Sequence, residues 1–127
     1  MRRVAAVVLL AIASLDAAQA GTVILACDGF AAGPGAGKGM PTGQKSFLVD
    51  DHKGIVQSSL GDFLITHRDE REIRFEGKYQ PKGARHGVHV GRIDRITGDA
   101  VTWITLDGEK EPFLTFVLSC QPAAPKF

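Results

Sequence analysis

The chain is 127 residues long, 44% hydrophobic, with 15 basic and 14 acidic side chains for a formal charge of +1. That length suits one domain with a modest core. So even a charge balance excludes a protein drawn to nucleic-acid phosphates or anionic lipid by its overall field.

Residues 1–20 read as a secretory leader, outside the fold. Arg2 and Arg3 form a positive start, Val4 to Ala13 is an apolar run, and Ala18-Gln19-Ala20 offers a small-x-small cleavage site. The run is too short to span a bilayer. Cleavage would leave Gly21 first and remove Arg2, Arg3 and Asp16, balancing thirteen basic against thirteen acidic residues. The expected location is periplasmic or secreted, with no transmembrane segment once the leader is gone. The alternative is a lipoprotein anchored through Cys27, because Ile24-Leu25-Ala26-Cys27 loosely matches a lipidation box. Against it, Leu25 stands where a small residue is usual, and Asp16 and Gln19 separate Cys27 from the apolar run.

Thr22 to Cys27 alternates as a strand, with Val23, Leu25 and Cys27 on one face and Ile24 and Ala26 on the other. Residues 28–43 hold six glycines along with Pro34 and Pro41, and are expected to form an irregular loop. Within them, Pro34-Gly35-Ala36-Gly37-Lys38-Gly39 is similar to the phosphate loop of adenylate-kinase-type enzymes. That match is rejected. Ala32 replaces the first glycine of the pattern and Met40 the threonine, and Pro41 followed by Thr42-Gly43 disfavours the helix that must hold the phosphate.

Strands follow at Gln44–Asp50, with Phe47 and Val49 on one face, and at Ile55–Ser59, with a break at Leu60-Gly61-Asp62 before Phe63–His67. Glu72–Glu76 turns Ile73 and Phe75 inward and ends at Gly77. Between these, His67-Arg68-Asp69 copies a protein-kinase triplet without the rest of that signature, and reads as a solvated hairpin tip. Lys78–Arg85 is a loop, and His86–Ile93 a strand. Ala100–Leu106 and Pro112–Cys120 pair across a tight Asp107-Gly108 turn. Val101, Trp103 and Thr105 share one face of the first arm; Leu114, Phe116, Leu118 and Cys120 share one face of the second.

No useful stretch carries the helical period, and short strands recur between turn signals. The expected fold is all-β: one antiparallel meander of about seven or eight strands curled toward a small barrel, with a two-sheet sandwich as the alternative. The expected division is a leader at 1–20, a β domain at 21–121 and a flexible tail at 122–127. Cys27 and Cys120 stand near the ends of the folded region, and an even cysteine count in an exported chain reads as a disulfide; two buried free thiols are the alternative.

A leader, a strand ending Cys27-Asp28-Gly29, the corner Gly91-x-Ile93-Asp94-Arg95-x-Thr97-Gly98 and the strand end Leu118-Ser119-Cys120-x-Pro122 occur together. In these features the chain resembles a group of small exported bacterial proteins of uncharacterised function. The resemblance implies fold and compartment and carries no functional residue.

Two constellations offer chemistry. Asp94 and Arg95 form either a turn-setting corner or a ligand contact, since Asp94 can cap the turn and Gly91 and Gly98 allow close approach or positive φ. Among the histidines, His52, His67, His86 and His89, only His86 and His89 are close in sequence. Their odd spacing separates them on a strand unless Gly87 forms a bulge, so they are a weak metal pair. No nucleophile context or convergent carboxylate pair stands out, so no catalytic residue and no cofactor is expected, and enzymatic activity is the less favoured reading. The expected role is a non-enzymatic exported domain that binds a small ligand or an envelope component. The alternative is a metal-binding or hydrolytic protein using the histidines.

Overall fold

A computed structural model describes residues 21–34 and 36–123. The expected leader, and residues 124–127 of the expected tail, lie outside the described residues. Nine strands follow one another: β1 (Thr22–Gly33), β2 (Gly37–Pro41), β3 (Lys45–Asp50), β4 (Ile55–Ser58), β5 (Gly61–Arg68), β6 (Glu72–Tyr79), β7 (Gly87–Asp94), β8 (Asp99–Leu106) and β9 (Leu114–Pro122). Each of β3 to β8 pairs antiparallel with the next, β3 pairs with β1, and β1 also pairs with β9. Eight strands therefore close into an up-and-down barrel, and β2 is an added strand on β1. Closure leaves no open edge among the eight, which is what a meander of this length gains over an open sheet.

Period-two alternation sorts the side chains. On β7, Gly87, His89, Gly91 and Ile93 are buried inside, while Val88 and Arg92 face solvent. Phe47 and Val49, Ile73 and Phe75, and Phe116, Leu118 and Cys120 point inward as their spacing implies. Val101, Trp103 and Thr105 do share a face, but it is the outer one; Ala100, Thr102 and Ile104 go inside. Outside, β6 presents Arg74, Glu76 and Lys78. An apolar interior with a charged exterior is the reverse of a membrane-spanning barrel, whose lipid-facing wall is apolar.

An eight-stranded barrel encloses a space that side chains can fill or that can hold one small ligand. Here a column of rings fills the middle. Phe75 packs against Phe47 at 6.3 Å between centroids and against Phe63 at 4.9 Å; Phe63 meets the His89 ring edge-on at 4.9 Å, and His89 leans on Phe116 at 6.2 Å. Room for this column comes from Gly91, which pairs with Phe75 across β6 and β7. A Cβ at Gly91 would lie 2.2 Å from the Phe75 ring.

The Gly-rich stretch differs from expectation. Instead of an irregular loop, β1 runs on to Gly33 and returns as β2, a hairpin in which Ala31 pairs with Met40 and Gly33 with Gly37. Glycine supplies the positive φ the reversal needs, 118° at Gly33 and 66° at Gly37. Pro41 is tolerated because β2 pairs on one side only. No helix follows Lys38, consistent with rejection of the phosphate loop.

Other boundaries shift by smaller amounts. Gly61 and Asp62 open β5 rather than breaking it, and β6 continues through Gly77 to Tyr79. The Asp107-Gly108 turn forms, with Glu109 N–H donating to Leu106 O at 3.0 Å, but pairing resumes only at Leu114, so the connection is longer than a tight hairpin. Gln121 and Pro122 belong to β9, and Ala123 N–H donates to Ile24 O at 2.9 Å, so the start of the expected tail is held to the sheet.

Gly91→Ala is expected to destabilise the barrel by about 1–3 kcal/mol in urea denaturation, the usual range for overpacking. Combining it with Phe75→Leu should cost less than the two changes summed, because the ring that clashes is gone. Additive costs would contradict the ring-over-glycine packing.

Candidate functional site

The barrel has two ends. One gathers the start of β1, the β3–β4, β5–β6 and β7–β8 turns and the end of β9; the other gathers the β1–β2 hairpin and the longer loops. The ring column occupies the middle and the second end. At the first end the inward positions are aliphatic, too short to meet across the axis. A cavity of about 250 Å³ remains there, walled by Val23, Leu25, Val49, Ile73, Ile93 and Cys120. Asp51, Asp94, Arg95 and Gln121 stand at its lip.

Cys120, on one side of this mouth, is bonded to Cys27. The two cysteines pair directly across β1 and β9, with Cα atoms 4.1 Å apart. Cys120 donates its N–H to Gly98 O on the β8 side at 2.9 Å, so the cysteine pair is a non-hydrogen-bonded one, the closer of the two antiparallel pair types. Cys27 is 1% exposed and its sulfur is bonded, so it offers no thiol for lipid attachment.

The lip is laced by hydrogen bonds between turns distant in sequence. Asp51 N–H donates to Gly21 O at 2.7 Å, and Arg68 donates to the backbone oxygen and carboxylate of Asp51. Asp69 Oδ1 caps its own turn, accepting from the N–H groups of Arg71 and Glu72. His67 with those two N–H groups holds the Asp69 carboxyl at about 2.

The Asp94 corner is set as an Asx turn. Asp94 Oδ1 accepts the N–H of Ile96 at 2.8 Å and of Thr97 at 3.0 Å, and these bonds hold the carboxyl below its usual range. Gly98 closes the turn at φ 83°. Among the described residues Arg95 forms no ion pair with Asp94 or with a neighbouring carboxylate. It reaches the β5–β6 turn instead, its Nη1 donating to Asp69 O at 2.9 Å and its backbone N–H to Arg71 O at 2.7 Å. The corner thus has a structural role and also lines the cavity.

The histidines are not brought together. His86 is exposed ahead of β7, while His89 is 2% exposed inside the barrel. Pairing of β7 with β8 is regular through Gly87, with no bulge to rotate one ring toward the other. His67 is exposed and contacts Asp69 at 3.0 Å; His52 is exposed on the β3–β4 turn. Among the described residues no three His, Cys, Asp or Glu side chains are grouped closely enough to hold a metal ion. Sequence reasoning passed over the partner that His89 does have: Thr102 Oγ1, 3.0 Å from Nε2 and itself fully buried. Burial pushes the imidazole down to about 4, so it is neutral at ordinary pH.

A second, shallower surface lies on the outer wall. Val101, Val117 and Phe30 form a cross-strand row over β8, β9 and β1, with Phe30 58% and Val117 54% exposed. Arg92, Asp28 and Asp99 border it.

No family model matches the chain, and neither a curated protein nor a solved structure matches it.

His89 makes stability depend on pH. Its folded pKa lies below its unfolded value, so the unfolded chain binds the proton more readily. The full contribution is present above about pH 6.5, falls as pH drops toward about 4, and changes no further below that; it amounts to about 3 kcal/mol. Thermal melts across that window should show the slope, and His89→Leu should flatten it whatever it does to stability at pH 7. An unchanged slope in the variant would assign the pH dependence to other groups.

Proposed function

We propose that the protein is a non-enzymatic exported binding domain that takes a small, largely apolar molecule into the mouth of the barrel. The observation that carries this reading is the aliphatic cavity beside the disulfide, held open under a hydrogen-bonded lip. Its volume is just below the range of ordinary ligand sites, and its chemistry is theirs: apolar walls with a few polar groups at the edge. A disulfide sealed into the wall is compatible with an oxidising compartment, and the leader-like residues 1–20 agree with export to the periplasm or beyond. Preorganisation favours binding, because the lip turns are ordered before a ligand arrives. Nothing in the site assembles a nucleophile with a base, and the buried imidazole of His89 has a hydroxyl partner rather than a carboxylate.

Binding to the folded state raises its stability by RT ln(1 + [L]/Kd), about 2.7 kcal/mol at a hundredfold excess over Kd. An apolar probe such as 1-hexanol is therefore expected to raise the melting temperature of the disulfide-intact protein. Val23 stands at the mouth, 41% exposed. Val23→Trp should fill the opening and abolish the hexanol shift while the variant still melts cooperatively. A shift that survives in Val23→Trp would place the probe elsewhere, and no shift in the parent would remove the cavity as a binding site.

A further inference from the structure

Outside the barrel, β7, β8, β9 and β1 carry a row of side chains at one level. Strand pairing sets its order: Arg92 beside Val101, Val101 beside Val117, Val117 beside Phe30. The next outward row toward the second end is mostly apolar, with Val90, Trp103, Thr115 and Ala32. The next row toward the lip holds Asp99, Ser119 and Asp28. Bulk is distributed against the curvature of the wall. Val101 and Val117 stand on the two middle strands, and the longer side chains of Arg92 and Phe30 stand on the strands to either side. The wall is thereby levelled into a shallow groove.

The charges around this groove have no partners of their own. Among the described residues Arg92, Asp28 and Asp99 enter no ion pair. Glu72, whose carboxyl feels the field of Arg92, is held by Arg74 at 2.8 Å. Asp94 is half-buried and turns Oδ1 to its own turn. The exposed unpaired charge is therefore Arg92 on the β7 side and Asp28 on the β1 side, with the apolar row between them.

We propose that this face docks a second copy of the chain across a two-fold axis. An axis parallel to the strands, between β8 and β9, exchanges β8 with β9 and β7 with β1. Val101 of each copy then lies on Val117 of the other. Arg92 lies over the exposed ring of Phe30, beside Asp28 two residues along β1, and the contact occurs twice. Asp99 faces Ser119 and so meets no like charge. The pattern is complementary to itself, and a formal charge of only +1 sets little net repulsion between copies. Both cavity mouths come to the same side of the dimer and stay open. Four strands about 4.8 Å apart span only about 14 Å. The face is thus smaller than the about 800 Å² per partner of a standard interface, and the dimer is weak and reversible.

Sedimentation equilibrium of the disulfide-intact exported protein, at concentrations from about 10 µM to about 2 mM, tests it. A monomer–dimer equilibrium is expected, tightening as salt is lowered. Val117→Lys puts a charge beside the axis and should leave only monomer, while the exposed position keeps the melting temperature close to the parent's. Arg92→Asp and Asp28→Arg should each weaken self-association about tenfold, the scale of two exposed charge pairs. Mixed in equal amounts, these two variants should associate about as well as the parent, because each reversed charge then faces its opposite. Monomer throughout the range in the parent would overturn the inference and leave the face to an unlike partner. A dimer that survives Val117→Lys would place the contact elsewhere and overturn it as well. Mixing without recovery would contradict the two-fold register. None of these outcomes touches the cavity reading, which the hexanol shift tests separately.

Discussion

The Cys27–Cys120 bond joins the strands that lie farthest apart in the chain, 93 residues from one sulfur to the other. In this meander every pairing but one joins segments close in sequence, across a turn or, for β1 with β3, across the β2 hairpin. The exception is β1 with β9, where Leu25 to Ala32 lie against Thr115 to Pro122. That pairing carries the whole loop-closure entropy of the barrel. A cross-link spanning it is worth about 4–5 kcal/mol in the chain-entropy picture, a large part of the stability of a domain this size. Because the two cysteines occupy directly opposed positions, the bond also specifies register: a slip of one residue would turn every inward side chain of β9 out to solvent.

Once the seam is closed, the distribution of side-chain sizes decides what the barrel contains. Rings at Phe47, Phe63, Phe75, His89 and Phe116 meet at mid-height, and the absence of a side chain at Gly91 lets Phe75 reach the axis. Toward the lip the inward residues are Val23, Val49, Ile73 and Ile93, and these leave the cavity. The lip would collapse over such a space if its turns were loose. Instead Asp69 and Asp94 cap their own turns, and Arg68 and Arg95 tie those turns to their neighbours through backbone oxygens. The Asp94-Arg95 corner therefore acts at two levels, as a turn former and as part of the cavity's edge.

Much of this was legible from residue spacing. The alternation in Phe47-Leu48-Val49, Ile73-Arg74-Phe75 and Phe116 to Cys120 identifies inward faces without reference to partners, and an even cysteine count behind a leader-like start points to the cross-link. The Asp94 corner was readable as a turn because an Asx cap is local. What was hidden depends on non-local geometry. The β1–β2 hairpin was missed because glycine and proline argue against strands in general, yet both fit an added strand with one free side. Thr102 was missed as an interior residue because its hydroxyl is polar and its partner, His89, is thirteen positions away on the adjacent strand. The cavity was invisible for a deeper reason: it arises from aliphatic ends on four strands beside Cys120 of a fifth, and no local pattern says that those ends converge.

If the seam governs the rest, breaking its disulfide must loosen the barrel there first. Amide hydrogen exchange by mass spectrometry, comparing the oxidised protein with the Cys27→Ser, Cys120→Ser form, reads this strand by strand. Amides of β1 and β9 should lose protection by the largest factor, while β6, β7 and the β7–β8 corner, built on local pairings, retain most of theirs. Uniform loss across all strands, or first opening at β4–β5 with β1–β9 still protected, would contradict the seam as the constraint on which the fold depends.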